Sequence, residues 1–132
     1  MDDHREMAHK ALKRMLANGR LTAVPKRPAD QKVLVALAAA QVDPGRSCLE
    51  SEVNERLRAW LGTISEPFGI DHVTLRRMLV DSGLLLRTAS GSLYRVNEAK
   101  LAEIGAVRGI EPADVLAGVR DERDLRKRQR VA

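Results

Sequence analysis

The fold is decided by one stretch, DHVTLRRMLVDSGLLLRTASGSLYRV, at residues 71–96. It begins with Asp71, a residue type whose side chain accepts a hydrogen bond from the first turn of a helix. Gly83 supplies the left-handed backbone conformation that commonly ends a helix. Apolar residues recur between them at helical spacing, so the sequence predicts a helix over residues 71–82.

The second half of the stretch predicts a β-hairpin. Residues 84–88 and 92–96 read as two alternating strands. Gly91 lies in the short connection, where a hairpin turn needs a positive φ. A helix followed directly by a two-stranded hairpin is typical of a recognition helix and its wing. This arrangement predicts double-stranded DNA as a partner.

Upstream of this stretch the sequence predicts three more helices. An apolar stripe near the N-terminus predicts the first, a cap at Asp30 begins the second, and the third spans residues 50–61 and stops at Gly62. Residues 21–24 are a short strand candidate for the wing sheet. Residues 48–49 are expected to form a single bridging β position.

The chain continues beyond the hairpin as a C-terminal extension. Asn97 is placed to cap a further helix, and Pro112 lies in the first turn of a last one. After Val119 the sequence RDERDLRKRQR is nearly all charge, which predicts a solvated helix end or a disordered tail. We therefore expect a mainly α fold with a small β-hairpin (α+β). Its parts are a winged-helix-like domain with an N-terminal helix at residues 1–96 and a helical extension at residues 97–132.

Composition narrows the class of protein. The chain has 132 residues, of which 44% are hydrophobic and 31% charged, enough for one soluble folded domain. A formal net charge of +5 permits contacts with phosphate without requiring them. The lone Cys48 excludes an internal disulfide and fits a reducing, cytoplasmic compartment. No apolar run is long enough to predict a membrane span.

The paired arginines of the 71–82 helix are the first candidates for nucleic-acid contact. A helical wheel places Arg76 and Arg77 outward together with Val73 and Val80. Arginine can pair with a guanine edge or grip phosphate. The helix N-terminus, the wing and an upstream basic loop complete the predicted nucleic-acid-binding set, which is His72, Thr74, Arg76, Arg77, Arg87, Arg95, Lys26 and Arg27.

A different interpretation stays open. On a solvated face Arg77 would instead pair with Asp81, four residues further on. Val73 and Val80 suit a packed neighbour better than they suit thymine methyl groups. The same fold would then be a protein-interaction module or a homodimer, with the valines covered by a partner or by the terminal helices. The C-terminal tail leaves two interpretations open, contact with DNA or RNA phosphates and, as the more common case, a solvated helix end. Acidic residues interleave with its basic cluster and dilute the field; the cluster is Arg123, Arg126, Lys127, Arg128 and Arg130.

The sequence predicts no enzyme, no metal site and no cofactor. His4 and His9 lie five residues apart and off one helical face, so a zinc site would have to be assembled from distant residues. Cys48 lacks a base nearby in the sequence and is expected to be a small buried hydrophobe. The chain also lacks a phosphate-binding glycine loop.

Three segments together carry a family resemblance: LKRMLANGRLTAVPKR at 12–27, ESEVNERL at 50–57 and the stretch at 71–96. On these segments the chain resembles a bacterial family of unknown function whose members look like winged-helix modules, alone or fused behind transcriptional regulators of the ArsR or GntR kind. The resemblance covers about residues 10–96. Leu49 departs from it, standing where the family usually has a capping hydroxyl, and so does the C-terminal extension. The resemblance implies a transcription-linked function and, with the helix and hairpin, predicts a DNA-binding regulator.

Overall fold

Six helices and a small antiparallel sheet make up the described part of the protein, which in the computed structural model is residues 3–104, 107 and 109–131. The α+β fold predicted from the sequence is confirmed. Residues 1, 2, 105, 106, 108 and 132, which the predicted ranges include, lie outside the described residues. In chain order the elements are α1 (Asp3–Met15), α2 (Pro28–Ala39), β1 (Cys48–Leu49), α3 (Glu50–Ile64), α4 (His72–Asp81), β2 (Leu85–Arg87), β3 (Leu93–Val96), α5 (Glu98–Ile104) and α6 (Pro112–Val131).

Helix α2 lies at the centre of the core. Its residues 34–39 are all buried, because the sequence there is apolar without interruption and such a helix needs neighbours on every side. Helices α1, α4 and α5 pack against it. The same core takes in Leu101 of α5 and Leu116 of α6. The division of the chain after residue 96 stays a prediction.

The stretch that decides the fold has the predicted local structure. The Asp71 side chain caps α4 by accepting a hydrogen bond of 2.9 Å from the backbone N–H of Thr74. Gly83 follows the helix with a φ of 79°, and Gly91 lies in the hairpin turn with a φ of 75°. Residues with a side chain rarely adopt such values. The prediction of a helix followed by a wing is confirmed.

The wing sheet has three strands in the order β1-β3-β2. Strand β3 is antiparallel to both neighbours, with Cys48 opposite Tyr94 and Leu86 opposite Arg95. The predicted bridging position at residues 48–49 is therefore confirmed as β1. Elements α2 to β3 follow the order helix, strand, helix, helix, hairpin, which is the winged-helix arrangement. Helices α1, α5 and α6 surround this unit.

Leu21 does not join this sheet, so the strand predicted for it at residues 21–24 is wrong. Its backbone forms a bridge to Ser65 at the end of α3, where the Leu21 N–H donates to the Ile64 carbonyl oxygen at 2.8 Å. Gly69 packs tightly against this bridge. A Cβ added to it would lie 2.7 Å from the Leu21 carbonyl oxygen. The connection between α1 and α2 is thereby fixed to the end of α3.

Two predicted helix ends are also wrong. Asp30 does not cap α2, which begins earlier, at Pro28. It is a buried residue of the first turn and forms a salt bridge with Arg14 of α1. Gly62 does not end α3, because the helix continues to the fully buried Ile64. In both cases a contact made in the folded core overrides a local signal.

The charged C-terminal segment is helical. Helix α6 continues to Val131, and every side chain from Arg120 to Arg130 is exposed. Of the two forms predicted for this segment, the structure has the solvated helix end. None of the helices in the described part of the chain is long and apolar enough to cross a membrane.

Candidate nucleic-acid interface

The solvent-facing side of α4 differs from the predicted one. Its exposed residues are Thr74, Arg77 and Asp81, which lie three and four residues apart. Leu75 and Leu79 are fully buried on the other side. The exposed stripe lies roughly 80° around the helix from the centre of the predicted outward face, at 100° per residue. This rotation separates the paired arginines.

Arg76 lies on the covered side of α4, which corrects its predicted outward position. Its guanidinium group donates to the side chain of Asn54 and forms a salt bridge of 2.9 Å with Glu50, both on α3. Its Cζ lies 6.0 Å from the ring centroid of Tyr94 on β3, a cation–π contact. Only 15% of the side chain is exposed. Arg76 thus joins α3, α4 and β3, and its charge is already paired.

Arg77 is exposed and makes no hydrogen bond or ion pair with the described residues. The pair with Asp81 that the alternative interpretation predicted is therefore not formed within this part of the chain. Exposed carboxylates of Asp71 and Asp81 lie at the two ends of α4 and reduce the positive field around Arg77. Arg77 is the cation that α4 presents to solvent.

The N-terminus of α4 is occupied by its own cap. The Thr74 hydroxyl donates to the Asp71 carboxylate at 2.8 Å, and its backbone N–H donates to the other oxygen. The backbone and side-chain hydrogen bonds from Thr74 hold the pKa of Asp71 below its ordinary value of 3.8. An ionised carboxylate at this position repels phosphate. Beside it, the His72 Nε2 lies 3.5 Å from a guanidinium nitrogen of Arg58.

The remaining predicted residues lie at two other places. Arg87 and Arg95 are exposed on the wing. Arg87 makes no ion pair or hydrogen bond with the described residues, whereas Arg95 donates to the Gly45 carbonyl oxygen at 3.5 Å. Lys26 and Arg27 are exposed just before α2. The first turn of α2 and the last turn of α4 line one cleft. The eight predicted residues thus lie on α4, on the wing and just before α2, and they do not share one face.

Sequence reasoning missed a cluster at the start of α3. The carboxylates of Asp43 and Glu52 and the thiol of Cys48 lie within 4.8 Å of one another, a spacing that suits a metal ion. Arg46, however, forms salt bridges of 2.7 Å with Asp43 and 2.6 Å with Glu52. The cluster therefore already contains a cation from the chain itself. Cys48 is buried, as expected for a small hydrophobe.

The sequence analysis also missed the apolar outer face of the wing sheet. Leu49, Leu86 and Leu93 are 53%, 50% and 36% exposed. Leu49 lies opposite Leu93, and Leu86 lies opposite Arg95, two residues along β3 from Leu93. Side chains two apart on a strand share a face. These four residues therefore form one surface, which we term the outer sheet face. The alternation of side chains between the two faces of β3 is the sequence signal that could have predicted this surface.

A family model described as an uncharacterized protein conserved in bacteria (DUF2087) matches residues 20–96, which are 77 of the 132 residues. The chain belongs to this family. The predicted resemblance to a bacterial domain of unknown function is confirmed for that segment. The DUF2087 segment holds the whole winged-helix order from α2 to β3 and leaves out α1, α5 and α6. No curated protein and no solved structure matches the chain.

We expect the two neighbouring arginines of α4 to differ in their effect on stability. Arg76→Ala should lower the free energy of unfolding by about 1–3 kcal/mol, because it leaves polar partners on α3 unsatisfied. Arg77→Ala is the matched control and should change it by less than about 0.5 kcal/mol. Urea denaturation followed by circular dichroism measures both. Equal losses would contradict the structural role of Arg76.

The cluster around Arg46 predicts a pH dependence of stability. Hydrogen bonds from Arg46 are the largest cause that holds the pKa values of Asp43 and Glu52 below their ordinary values of 3.8 and 4.5. The unfolded chain therefore takes up these protons at higher pH than the folded protein. Stability from the cluster is present above about pH 4.5 and is lost as the pH falls through the folded pKa values.

The test compares the Tm of the wild type with that of Arg46→Gln across pH. The difference should be constant between about pH 6 and 8 and should shrink below about pH 4. Thermal unfolding in buffers of equal ionic strength measures it. A difference that grows on acidification would show that Arg46 does not act through these carboxylates.

Proposed function

We propose that the protein binds double-stranded DNA through α4 and the wing and acts in transcriptional regulation. The observation that carries the proposal is the pairing state of the arginines. Arg76 is paired within the fold, whereas Arg77 on α4 and Arg87 on the wing are exposed and have no partner among the described residues. In helix-turn-helix proteins the second helix of the motif lies in the major groove. By its place in the winged-helix order, α4 is that helix.

The roles of the cations follow from their positions. The guanidinium fork of Arg77 suits a guanine edge or a phosphate in the major groove. Arg87 and Arg95 suit backbone phosphates, which position a protein on DNA without reading its sequence. Lys26 and Arg27 add positive charge near the other end of α4. A single arginine on the reading face gives little discrimination, on the order of 1–3 kcal/mol for a good bidentate pair.

The DNA-binding proposal is tested by the salt dependence of binding. Arg77→Ala and Arg87→Ala should each weaken binding to a duplex and lower the slope of log K against log salt by about 0.9 if a phosphate contact is lost. Lys10→Ala, which removes the same charge from the exposed side of α1, should leave the slope nearly unchanged. Fluorescence anisotropy with labelled duplexes measures this. A wild type without salt-dependent affinity at micromolar concentration would rule out the proposal.

The outer sheet face favours a second candidate function, association of two copies of the chain. Its leucines Leu49, Leu86 and Leu93 are exposed, and no element of the described part of the chain covers them. An apolar face of this kind can be self-complementary about a two-fold axis. A stable dimer buries about 800 Å² on each partner, which is more than three half-exposed leucines offer. The expected dimer is therefore weak.

The surfaces first predicted for such a partner are less available. Val80 packs against the protein's own core, and Val73 is half-buried. The terminal helices direct their main apolar residues inward, among them Leu12 of α1 and Leu116 of α6. Pairing through those helices, or with a different protein, stays a prediction. The outer sheet face is the better-supported surface for self-association.

Light scattering after size exclusion tests the dimer. At about 100 μM, above a weak-dimer dissociation constant on the order of 10 μM, the wild type should approach the mass of two chains. Leu86→Glu should return it to the monomer mass. Leu125→Glu, at an exposed leucine of α6, is the control and should still dimerise. A monomeric wild type at this concentration would exclude the second candidate.

A further inference from the structure

The exposed second half of α6 has one strongly cationic side. Residues 120–130 contain six Arg or Lys and three Asp or Glu, and all their side chains are exposed. On a wheel of 100° per residue, five of the six basic residues fall within an arc of about 120° and all three acidic residues fall outside it. We term these five residues the basic stripe; they are Arg120, Arg123, Arg126, Lys127 and Arg130.

The helical structure of residues 120–130 changes the expectation that acidic neighbours dilute the positive field of this segment. Acidic residues that alternate with basic ones along the chain are moved to other sides of α6, so the stripe keeps its positive field. Its length is about 15 Å for ten steps of 1.5 Å. Duplex DNA carries about nine phosphate charges along the same length. The five charges of the stripe are about as many as the phosphates of one strand over that length, since a single strand has one phosphate about every 3.4 Å.

Two ion pairs of Glu122, one of them with Arg126 of the stripe, hold this half of α6 in place. Glu122 forms a salt bridge of 3.1 Å with Lys13 of α1, and it also pairs with Arg126 one turn along at 3.9 Å. Basic residues near the C-terminus of a helix are further stabilised by the helix dipole. Glu122 thus helps to hold in place the helix that presents the stripe.

The stripe lies on the same side of α6 as the residues that anchor the helix. Leu116 and Val119 are buried in the first half of α6, which packs against α1 and α3. On the wheel both fall within or close to the arc of the stripe. An anion bound along the stripe would therefore lie on the side of α6 that faces the body of the protein.

We propose that the basic stripe is a second nucleic-acid contact, an arm that binds the phosphate backbone of duplex DNA from outside the DUF2087 segment. The proposal rests on DNA being the ligand, as in the proposed function, but on different residues. An anionic membrane fits less well, because a membrane-binding helix needs an apolar face. Leu125 is the one exposed large apolar side chain within residues 120–130.

A pair of adjacent substitutions tests the arm in the full chain. Lys127→Gln removes a charge within the stripe, and Arg128→Gln removes the same charge from another side of α6. We expect Lys127→Gln to weaken binding to a labelled duplex several-fold and Arg128→Gln to have little effect. The triple variant Arg123→Gln, Lys127→Gln, Arg130→Gln should lower the salt slope by about 2–3. Circular dichroism checks that helix content is unchanged.

The outcomes separate the arm from the proposed function. If the triple variant loses affinity while Arg77→Ala and Arg87→Ala do not, the arm stands and the α4 interface fails. If only the α4 and wing variants lose affinity, the arm is overturned. Equal effects of Lys127→Gln and Arg128→Gln would also overturn it, since net charge alone would then explain binding. Binding to vesicles with about 30% phosphatidylserine, without DNA binding, would overturn the assignment to nucleic acid.

Discussion

The burial of the second half of α2 on all sides is the constraint on which the rest of the structure depends. Six successive apolar residues at 34–39 leave this half of the helix without a face for water. Helices from both sides of the DUF2087 segment, α1 before it and α5 after it, pack against α2 together with α4. The family segment and the core therefore do not coincide. Helices outside the family boundary cover its central helix.

The packing of α4 against α2 and α3 explains why Arg76 was misplaced from the sequence. A helical wheel that sets the side with Leu75 and Leu79 toward the core places Arg76 and Arg77 together on the opposite side. In the fold, Glu50 and Asn54 of α3 and Tyr94 of β3 surround the guanidinium group of Arg76. An arginine can be covered when its charge is paired and its stem packs. The wheel contains no such neighbours and cannot distinguish the two arginines.

The difference between local and distant partners explains which elements the sequence could predict. Asp71 caps α4, and Asn97 accepts a hydrogen bond of 3.2 Å from the Lys100 backbone N–H at the start of α5. Both depend on residues within one turn, and both were predicted. Leu21 and Asp30 were misassigned because Ser65 and Arg14, far along the chain, decide their roles. Predictions failed where the partner was distant in sequence.

The candidate site follows this rule as well. The sequence identifies Arg87 by its place at the end of a predicted strand, and it is exposed on the wing. It identifies Arg76 and Arg77 as basic residues of one helix but cannot show that, of these two arginines, only Arg77 faces solvent. The outer sheet face needs the register that places Leu49 opposite Leu93. Residue type and period predict where cations lie along the chain, whereas tertiary packing decides which of them are available.

The pairing of charges has a consequence for the net charge of +5. The chain has 23 basic and 18 acidic residues, but several carboxylates are bound to structural arginines, as in Arg14–Asp30 and Arg76–Glu50. A bound carboxylate neutralises its own arginine and contributes little to the field elsewhere. The excess charge is therefore concentrated at cations without such partners, including Arg77 and Arg87. It is the pairing state of each arginine, more than the total charge, that indicates where a polyanion would bind.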